Sequence, residues 1–163
     1  MNGKTTYKNW NCIDNYIVWS IANLFLTQFH GNTDEQTEEI TEIKALPSDI
    51  SREFLDKTVY KVKTDFNNSK WIEMFDVFGP FAKAQLSPES VGLEFKKIKP
   101  ATGEIQTYAY SHHTHEGSGD GAEWFKVYYK CRFENARGTI KISIRTANNK
   151  SEICGVNIVL DSF

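Results

Sequence analysis

The feature that most constrains the fold is a strict alternation of apolar and polar residues in the last third of the chain. Alternation at period two is typical of a strand with one buried face. In the stretch 124–133 the residues predicted to be buried are Phe125, Val127, Tyr129, Cys131 and Phe133. The opposite row is Trp124, Lys126, Tyr128, Lys130 and Arg132.

Two further stretches alternate in the same way, and turn-forming residues separate them. Ile140, Ile142 and Ile144 follow a turn at 135–138, and a second turn at 148–150 leads into 153–160. Residues 105–112 are a fourth strand candidate that precedes the others. The short turns predict an antiparallel sheet of four strands joined by hairpins.

Three helices are predicted before these strands. The first begins near Ser51 and carries Phe54, Leu55, Val59, Val62 and Phe66 at helical spacing. The second covers 71–78 and ends at Gly79-Pro80. The third begins at Ser87-Pro88-Glu89 and ends at Pro100 and Gly103. Helices followed by a hairpin sheet predict an α+β fold in which the helices pack on one sheet face.

The N-terminal residues 1–30 form a separate apolar helix in this prediction. Residues 16–29 are mostly apolar, a stretch shorter than the roughly 20 residues that span a bilayer. Such a helix is buried in lipid or in protein, so a membrane anchor or uncleaved signal, a core or partner-docking helix, and a cleaved signal are all open. Lysines before it and acids after it favour a membrane-anchored protein with an exported domain, with a cytoplasmic protein as the alternative. Residues 31–47 are predicted to be an acidic linker, and 48–163 the folded domain.

Several motifs resemble the nuclear transport factor 2-like, or cystatin-like, fold from about residue 50 to the end. They are Trp71-Ile-Glu-Met-Phe75, Phe78-Gly-Pro-Phe81, Ser87-Pro88-Glu89, Pro100-Ala-Thr-Gly103, the strand 127–135 and the closing stretch 153–158. The chain is most similar to small bacterial families of unknown function with this plan. The resemblance implies a curved sheet wrapped around helices, often with an open cone or a dimer interface.

Proteins of that fold include binding modules, membrane-tethered assembly scaffolds and a few hydrolytic or isomerising enzymes. The resemblance implies that the enzymes place an acid, usually Asp, with His or Tyr inside the cone. The predicted inward positions of the second and third strands hold no carboxylate and no imidazole. This difference counts against an enzyme.

Charge and cysteine content exclude two further classes. The net charge of -2 and the absence of a basic excess argue against a nucleic-acid-binding protein. Cys131 and Cys154 fall on strands separated by a third, which places them roughly 9 to 10 Å apart or more. That exceeds the roughly 7 Å limit for a disulfide, so we expect free thiols.

Residues 112–121 contain three histidines and three glycines, and they are predicted to be a loop between the first two strands. A solvated loop is the favoured interpretation. The alternative is a metal site for Zn, Cu or Ni, formed by His112, His113 and His115 with oxygen from Glu116 or Asp120. In extended chain His113 and His115 would share a face. A pH-responsive surface is a third interpretation. For catalysis, no nucleophile with an oriented base is visible.

The row of aromatic and cationic residues on the second strand is most simply a solvated sheet face, and it is also the candidate site for a protein partner or for self-association. It consists of Trp124, Tyr128 and Arg132, with Tyr108 and Tyr110 of the first strand as an extension. The N-terminal helix covering this face is the alternative.

We therefore predict a non-enzymatic binding or assembly domain that contacts a protein or small ligand through its sheet face or cone mouth. It would be tethered through residues 10–29 and would dimerise through the sheet. The alternatives are a hydrolase or isomerase of the same fold with an unrecognised polar pocket, and a metal-responsive module based on the histidines.

Overall fold

A computed structural model describes residues 44–161 of the chain. The chain divides after Glu42 into two units, Met1–Glu42 and Ile43–Phe163, and the described residues belong to the second. The predicted apolar helix of residues 1–30, including the tether at 10–29, lies outside the described residues, as does most of the predicted acidic linker.

The first helix follows the sequence prediction closely. Helix α1, Arg52–Asn67, begins after Ser51, whose Oγ accepts a hydrogen bond of 3.1 Å from the backbone N–H of Phe54. Its predicted apolar face is buried at Leu55, Val59, Val62 and Phe66. Phe54 is exposed instead, because it lies one residue before Leu55 and therefore about 100° away around the helix.

The middle of the helical region differs from the prediction. The apolar stretch 71–78 forms a short 3-10 helix, Glu73–Val77, rather than a full α-helix. Gly79-Pro80 does not end a helix but begins one: helix α2, Pro80–Lys83, has Gly79 as its N-cap and Pro80 in the first turn. Proline suits that position because its missing N–H has no partner in a first turn.

The third helix is confirmed at its start. Helix α3, Pro88–Thr102, has Ser87 as N-cap, and Ser87 and Ser90 exchange hydrogen bonds in a capping box. Pro100 lies inside its last turn, so the helix ends at Gly103 with a φ of 70° and not at the proline.

Four strands form one antiparallel sheet in the order β1-β2-β3-β4. They are β1, Ile105–Gly119; β2, Ala122–Phe133; β3, Arg137–Ala147; and β4, Lys150–Leu160. The register pairs Phe125 with Ile144, Val127 with Ile142, and Tyr129 with Ile140. All six residues are buried, so the predicted inward row and the α+β class are confirmed.

The predicted loop at 112–121 is wrong. Strand β1 continues through all three histidines to Gly119, and only Asp120 and Gly121 form the turn. Both have positive φ, 52° and 71°, as a two-residue type I′ hairpin turn requires. Glycines 117 and 119 therefore lie in the strand, and the irregularity in this stretch is limited to two register shifts, between Tyr110 and His112 and between His115 and Gly117.

Two residues that precede α1, Lys44 and Asp49, form side-chain contacts with strands of the sheet. The carboxylate of Asp49 accepts hydrogen bonds of 2.7 Å from Ser151 N and 2.8 Å from Ser151 Oγ. Lys44 pairs with Glu123 of β2. The domain therefore includes residues from 44 onward.

The two described cysteines are placed apart. Cys131 is a buried thiol opposite Gly138, near the start of β3. Cys154 lies on β4, with its Sγ 3.5 Å from the carbonyl of Ser143 farther along β3. No bridge joins them, as predicted. Within residues 44–161, no helix has the length and apolar character needed to cross a bilayer.

Candidate functional site: the two faces of the sheet

A bulge in β1 decides which side chains share a face. The register pairs Tyr110 with Tyr129, but the next pair is His112 with Tyr128, so Ser111 is an extra residue. Paired residues point to the same face of an antiparallel sheet, and one extra residue reverses the alternation beyond it. Tyr110 therefore faces the helices with Tyr129, whereas His112 faces the opposite side with Tyr128.

This bulge splits the predicted partner patch between the two faces. Tyr108 and Tyr110 pair with Cys131 and Tyr129 on the helix-facing side. Trp124, Tyr128 and Arg132 lie on the other side, by their alternation with the buried row. The tyrosines of β1 therefore do not extend the patch, and His112 takes the place beside Tyr128.

The helix-facing side carries a tyrosine cluster, which we define as Tyr108, Tyr110 and Tyr129 with Arg52 and Asp56 of α1. The Tyr129 hydroxyl donates a hydrogen bond of 2.8 Å to Asp56 Oδ1, and Arg52 Nε donates one of 3.0 Å to the same oxygen. The Arg52 guanidinium lies 4.0 Å from the centre of the Tyr110 ring. Tyr108 and Tyr110 both meet Tyr129 edge to face. The cluster thus joins α1 to the first two strands.

The contacts in the tyrosine cluster shift the pKa values of Asp56 and Tyr129 in opposite directions. Burial tends to raise the pKa of Asp56, but the hydrogen bonds from Tyr129 and Arg52 outweigh it and hold the pKa below the ordinary value. Burial and the neighbouring Asp56 carboxylate raise the pKa of the Tyr129 phenol well above its ordinary value. Asp56 is therefore an anion and Tyr129 a neutral hydrogen-bond donor near neutral pH.

His113 and His115 also lie on the helix-facing side, because they pair with Val127 and Phe125. His113 Nδ1 shares a hydrogen bond of 2.8 Å with the Tyr110 hydroxyl, and its Nε2 lies 3.1 Å from the Lys44 carbonyl oxygen. The His115 ring packs on Phe125 at 5.0 Å, and among residues 44–161 its buried Nε2 has no hydrogen-bond partner.

The expectation that this face lacks carboxylates and imidazoles holds only for β2 and β3. Strand β1 adds His113 and His115, and α1 adds Asp56. Sequence reasoning missed Asp56 and Arg52 as site residues. Their four-residue spacing at the start of a helix indicates a local ion pair, but it gives no sign of the tyrosine that Asp56 meets 73 positions later.

The opposite side of the sheet carries an aromatic–basic face, which we define as His112, Trp124, Lys126, Tyr128, Lys130 and Arg132. The His112 and Tyr128 rings stack at 4.4 Å with an interplanar angle of 7°. On β3, Lys141 Nζ lies 5.7 Å from the Tyr128 ring centre. Tyr128 is therefore held on two sides by its neighbours.

One end of the aromatic–basic face has its charges balanced. Lys126 pairs with Glu116 at 2.8 Å, and Arg145 of β3 pairs with Glu152 of β4 at 3.1 Å. Partial burial tends to raise the pKa of Glu116, but hydrogen bonds from Lys126 and Thr114 outweigh it and lower the pKa. Phe81 of α2 meets Trp124 edge to face at 5.8 Å and covers this end.

The other end of the same face has unbalanced positive charge. Among residues 44–161, no carboxylate stands at ion-pair distance from Lys130, Arg132 or Arg137. All three are exposed, and Arg132 and Arg137 are direct cross-strand partners. A shallow depression of about 440 Å³ adjoins Arg132, and its other lining residues are Gln106, Thr107, Phe133 and Glu134.

The four residues suggested for a metal site do not converge. His112 is on the aromatic–basic face with Glu116, whose carboxylate bonds to Lys126 and Thr114, whereas His113 and His115 are on the helix-facing side. Within the part of the chain that the structure describes, no three His, Cys, Asp or Glu residues are grouped so that they could hold a metal ion.

Comparisons with known proteins add little. No family model matches the sequence, and no curated protein matches it. One solved structure to which the chain is similar is the 1.8 Å structure of Aln2 from a Streptomyces species, with 12% sequence identity and a TM-score of 0.43. That similarity covers 69% of this chain and 93% of Aln2.

Proposed function

We propose that this protein is a non-enzymatic binding domain that uses its aromatic–basic face to contact an acidic protein surface. The observation that carries the proposal is the exposed group of Lys130, Arg132 and Arg137, without carboxylate partners among the described residues. It lies beside the stacked rings of His112 and Tyr128. Aromatic residues and arginine are enriched where proteins bind one another.

The arrangement of Tyr128 favours binding because the ring is already ordered. His112 and Lys141 restrict its motion, so little side-chain entropy remains to be lost when a partner covers it. The unbalanced cations would steer an acidic surface toward the ring and set its orientation. Rigid rings beside free cations therefore suit recognition of a folded, negatively charged partner.

A protein partner fits this face better than nucleic acid or a small ligand. The net charge of the chain is -2, and nucleic-acid binders gain much of their affinity from many phosphate contacts. Small-ligand sites are concave and enclosed, whereas the depression beside Arg132 is shallow. An open strand face with rings beside exposed cations matches a protein interface.

Site-specific photo-crosslinking in the native host tests this proposal. A photoreactive phenylalanine analogue would replace Tyr128 or, as the control, Tyr60, which is 63% exposed on α1. We expect a cross-linked protein at position 128 but not at position 60, and its loss when Lys130→Glu and Arg132→Glu are added. Equal cross-linking at both positions, or none at position 128, would contradict the proposal.

A second candidate function is an enzyme of the same fold, a hydrolase or an isomerase. The observation that favours it is the placement of Asp56, Tyr129, Tyr110 and His113 on the helix-facing side. Against it, the lowered pKa of Asp56 makes the carboxylate a weak base. Screening small-molecule fragments by NMR distinguishes the enzyme from the binding domain. Changes in amide chemical shift at residues 56, 110 and 129 would support an enzyme, and changes at residues 128, 130 and 132 would support the binding face.

The nuclear transport factor 2-like cone is our proposal for the fold family. It is supported by the motifs at Trp71–Phe75 and Phe78–Phe81 and by the third helix opening at Ser87-Pro88. In that family, binding modules and tethered scaffolds are common, which agrees with the proposed role. An experimental structure in which the sheet encloses no cone would remove this support.

We also propose that residues 10–29 tether the domain to a membrane and that the domain is exported. The support is the apolar composition of residues 16–29, with lysines before them and acids after them. Fractionation of the full-length chain beside a chain lacking residues 1–30 tests this. A pelleted full-length chain with a soluble, folded truncation supports the tether, and a soluble full-length chain overturns it.

A further inference from the structure

We infer that the outer edge of β4, over residues 156–160, pairs with the same strand of a second copy of this chain. Within residues 44–161, the sheet has two edge strands, β1 and β4. An edge strand presents unpaired backbone N–H and C=O groups, which folded proteins usually protect from pairing. The two edges of this sheet differ in that protection.

Strand β1 is protected in two ways. Its register with β2 shifts at three places, and such bulges twist an edge away from a straight pairing partner. Helix α1 also occupies its first residues: Lys63 Nζ donates a hydrogen bond of 2.7 Å to the Gln106 carbonyl, and Asn67 bonds to both backbone groups of Ile105. A straight partner strand therefore finds no continuous row of available backbone N–H and C=O groups along the β1 edge.

Among residues 44–161, the contacts that protect β4 lie along its first half. The Ile153 carbonyl accepts a hydrogen bond of 2.7 Å from Gly79 N, and Ser151 N donates to Asp49. The single register shift with β3 is also there, opposite Ser143 and Ile144. Over residues 156–160 the described part of the chain supplies no backbone partner beyond β3.

The composition of the open segment favours pairing. Residues 156–160 read Val-Asn-Ile-Val-Leu and contain no charge and no proline, the residues that usually block an edge. Val159 is 37% exposed and Leu160 is 39% exposed. Val159 pairs with Thr139 and Leu160 with Gly138, so the two side chains lie on opposite faces beside the edge. An added strand would cover both.

A second copy is the occupant that this segment suits best. An antiparallel pairing of identical strands obeys twofold symmetry, the commonest symmetry of protein dimers. Two copies of this uncharged segment carry no like charges that would repel each other. Their pairing would join two four-stranded sheets into one sheet of eight strands. Since a pairing this short buries less than the roughly 1,200–2,000 Å² of stable interfaces, we expect a dissociation constant in the micromolar range.

Sedimentation equilibrium of the full chain, from about 1 to about 300 µM, measures this association. Val159→Lys places two lysines at the pairing edge, and we expect it to raise the dissociation constant at least about tenfold. The matched control is Leu93→Lys, at a residue that is 52% exposed on α3, and we expect no change. If Val159→Lys does not fold, as judged by circular dichroism, Leu160→Lys at the strand end replaces it.

Hydrogen exchange identifies the surface that associates. We expect amides within 156–160 to exchange more slowly at high than at low concentration in the wild type, and equally at both in the variant. A chain that is monomeric throughout overturns the inference. So does an association that Val159→Lys leaves unchanged, or one that leaves exchange at 156–160 unaltered.

Discussion

The hydroxyl of Tyr129 donates a hydrogen bond of 2.8 Å to Oδ1 of Asp56, and this contact fixes α1 over the second strand. Tyr129 has no exposed surface, so its hydroxyl depends on Asp56 for a partner. The same Asp56 oxygen accepts a hydrogen bond from Arg52 Nε, and the Arg52 guanidinium lies over the Tyr110 ring. One buried phenol is therefore connected through Asp56 and Arg52 to the ring of Tyr110.

Tyr129→Phe should destabilise the domain by about 1 kcal/mol, because a hydrogen bond to a charged group is lost while the ring stays packed. This value is below the roughly 1.5–3 kcal/mol that is usual for hydrogen bonds to charged groups, because the Asp56 side chain is 48% exposed and water can replace the phenol. Urea unfolding measures the change. Tyr60→Phe, at an exposed tyrosine of the same helix, should leave stability unaltered, and equal effects at both positions would contradict this role.

Asp56→Asn should make the free energy of unfolding depend less strongly on pH at acidic pH. The folded-state pKa of Asp56 lies below its ordinary value, so its contribution is complete above the unfolded pKa, about 3.9, and is lost as the pH falls through the folded pKa. The wild type should therefore lose more stability than Asp56→Asn when the pH falls below about 4. Urea unfolding at several pH values measures this.

The control for that profile is Asp76→Asn. Asp76 is 67% exposed and lies 3.7 Å from Lys61, without a phenol donor. Its replacement removes a carboxylate that the Tyr129 hydroxyl does not contact. If Asp56→Asn keeps the full wild-type slope, the bond to Tyr129 does not stabilise the anion.

Gly121→Ala should cost about 1 kcal/mol. Gly121 has a φ of 71° in the turn between β1 and β2, and apart from its chain neighbours no atom of residues 44–161 lies within 4 Å of an added Cβ. The cost is therefore conformational and not steric. Gly119→Ala is the control, since an added Cβ there also meets nothing and φ is not positive. Thermal unfolding should separate the two variants, and an unaffected Gly121→Ala would contradict the turn geometry.

Zinc titration should give weak, substoichiometric uptake. His112 lies across the sheet from His113 and His115, and both ring nitrogens of His113 already have partners. Isothermal titration calorimetry of the wild type and of His113→Ala with His115→Ala measures this. A saturable isotherm of one ion per chain that the double variant loses would instead support the metal-responsive module.

Much of the fold follows from local patterns in the sequence. The alternation in 124–133 and at 140, 142 and 144 predicts which residues are buried, because a strand with one buried face has a period of two. Ser51 and Ser87 mark helix starts through hydrogen bonds made within one turn. These features need only neighbouring residues, so the sequence alone determines the α+β class, the hairpin order and the inner row of β2 and β3.

The tertiary structure alone decides the composition of the two faces. The stretch Ser111-His-His-Thr-His115 is polar throughout and has no apolar alternation to set its register. The extra residue at Ser111 is therefore fixed by pairing with β2, and it sends His112 to one face and His113 to the other. Asp56 meets Tyr129 across 73 positions for the same reason: packing of α1 on the sheet, not local preference, brings them together.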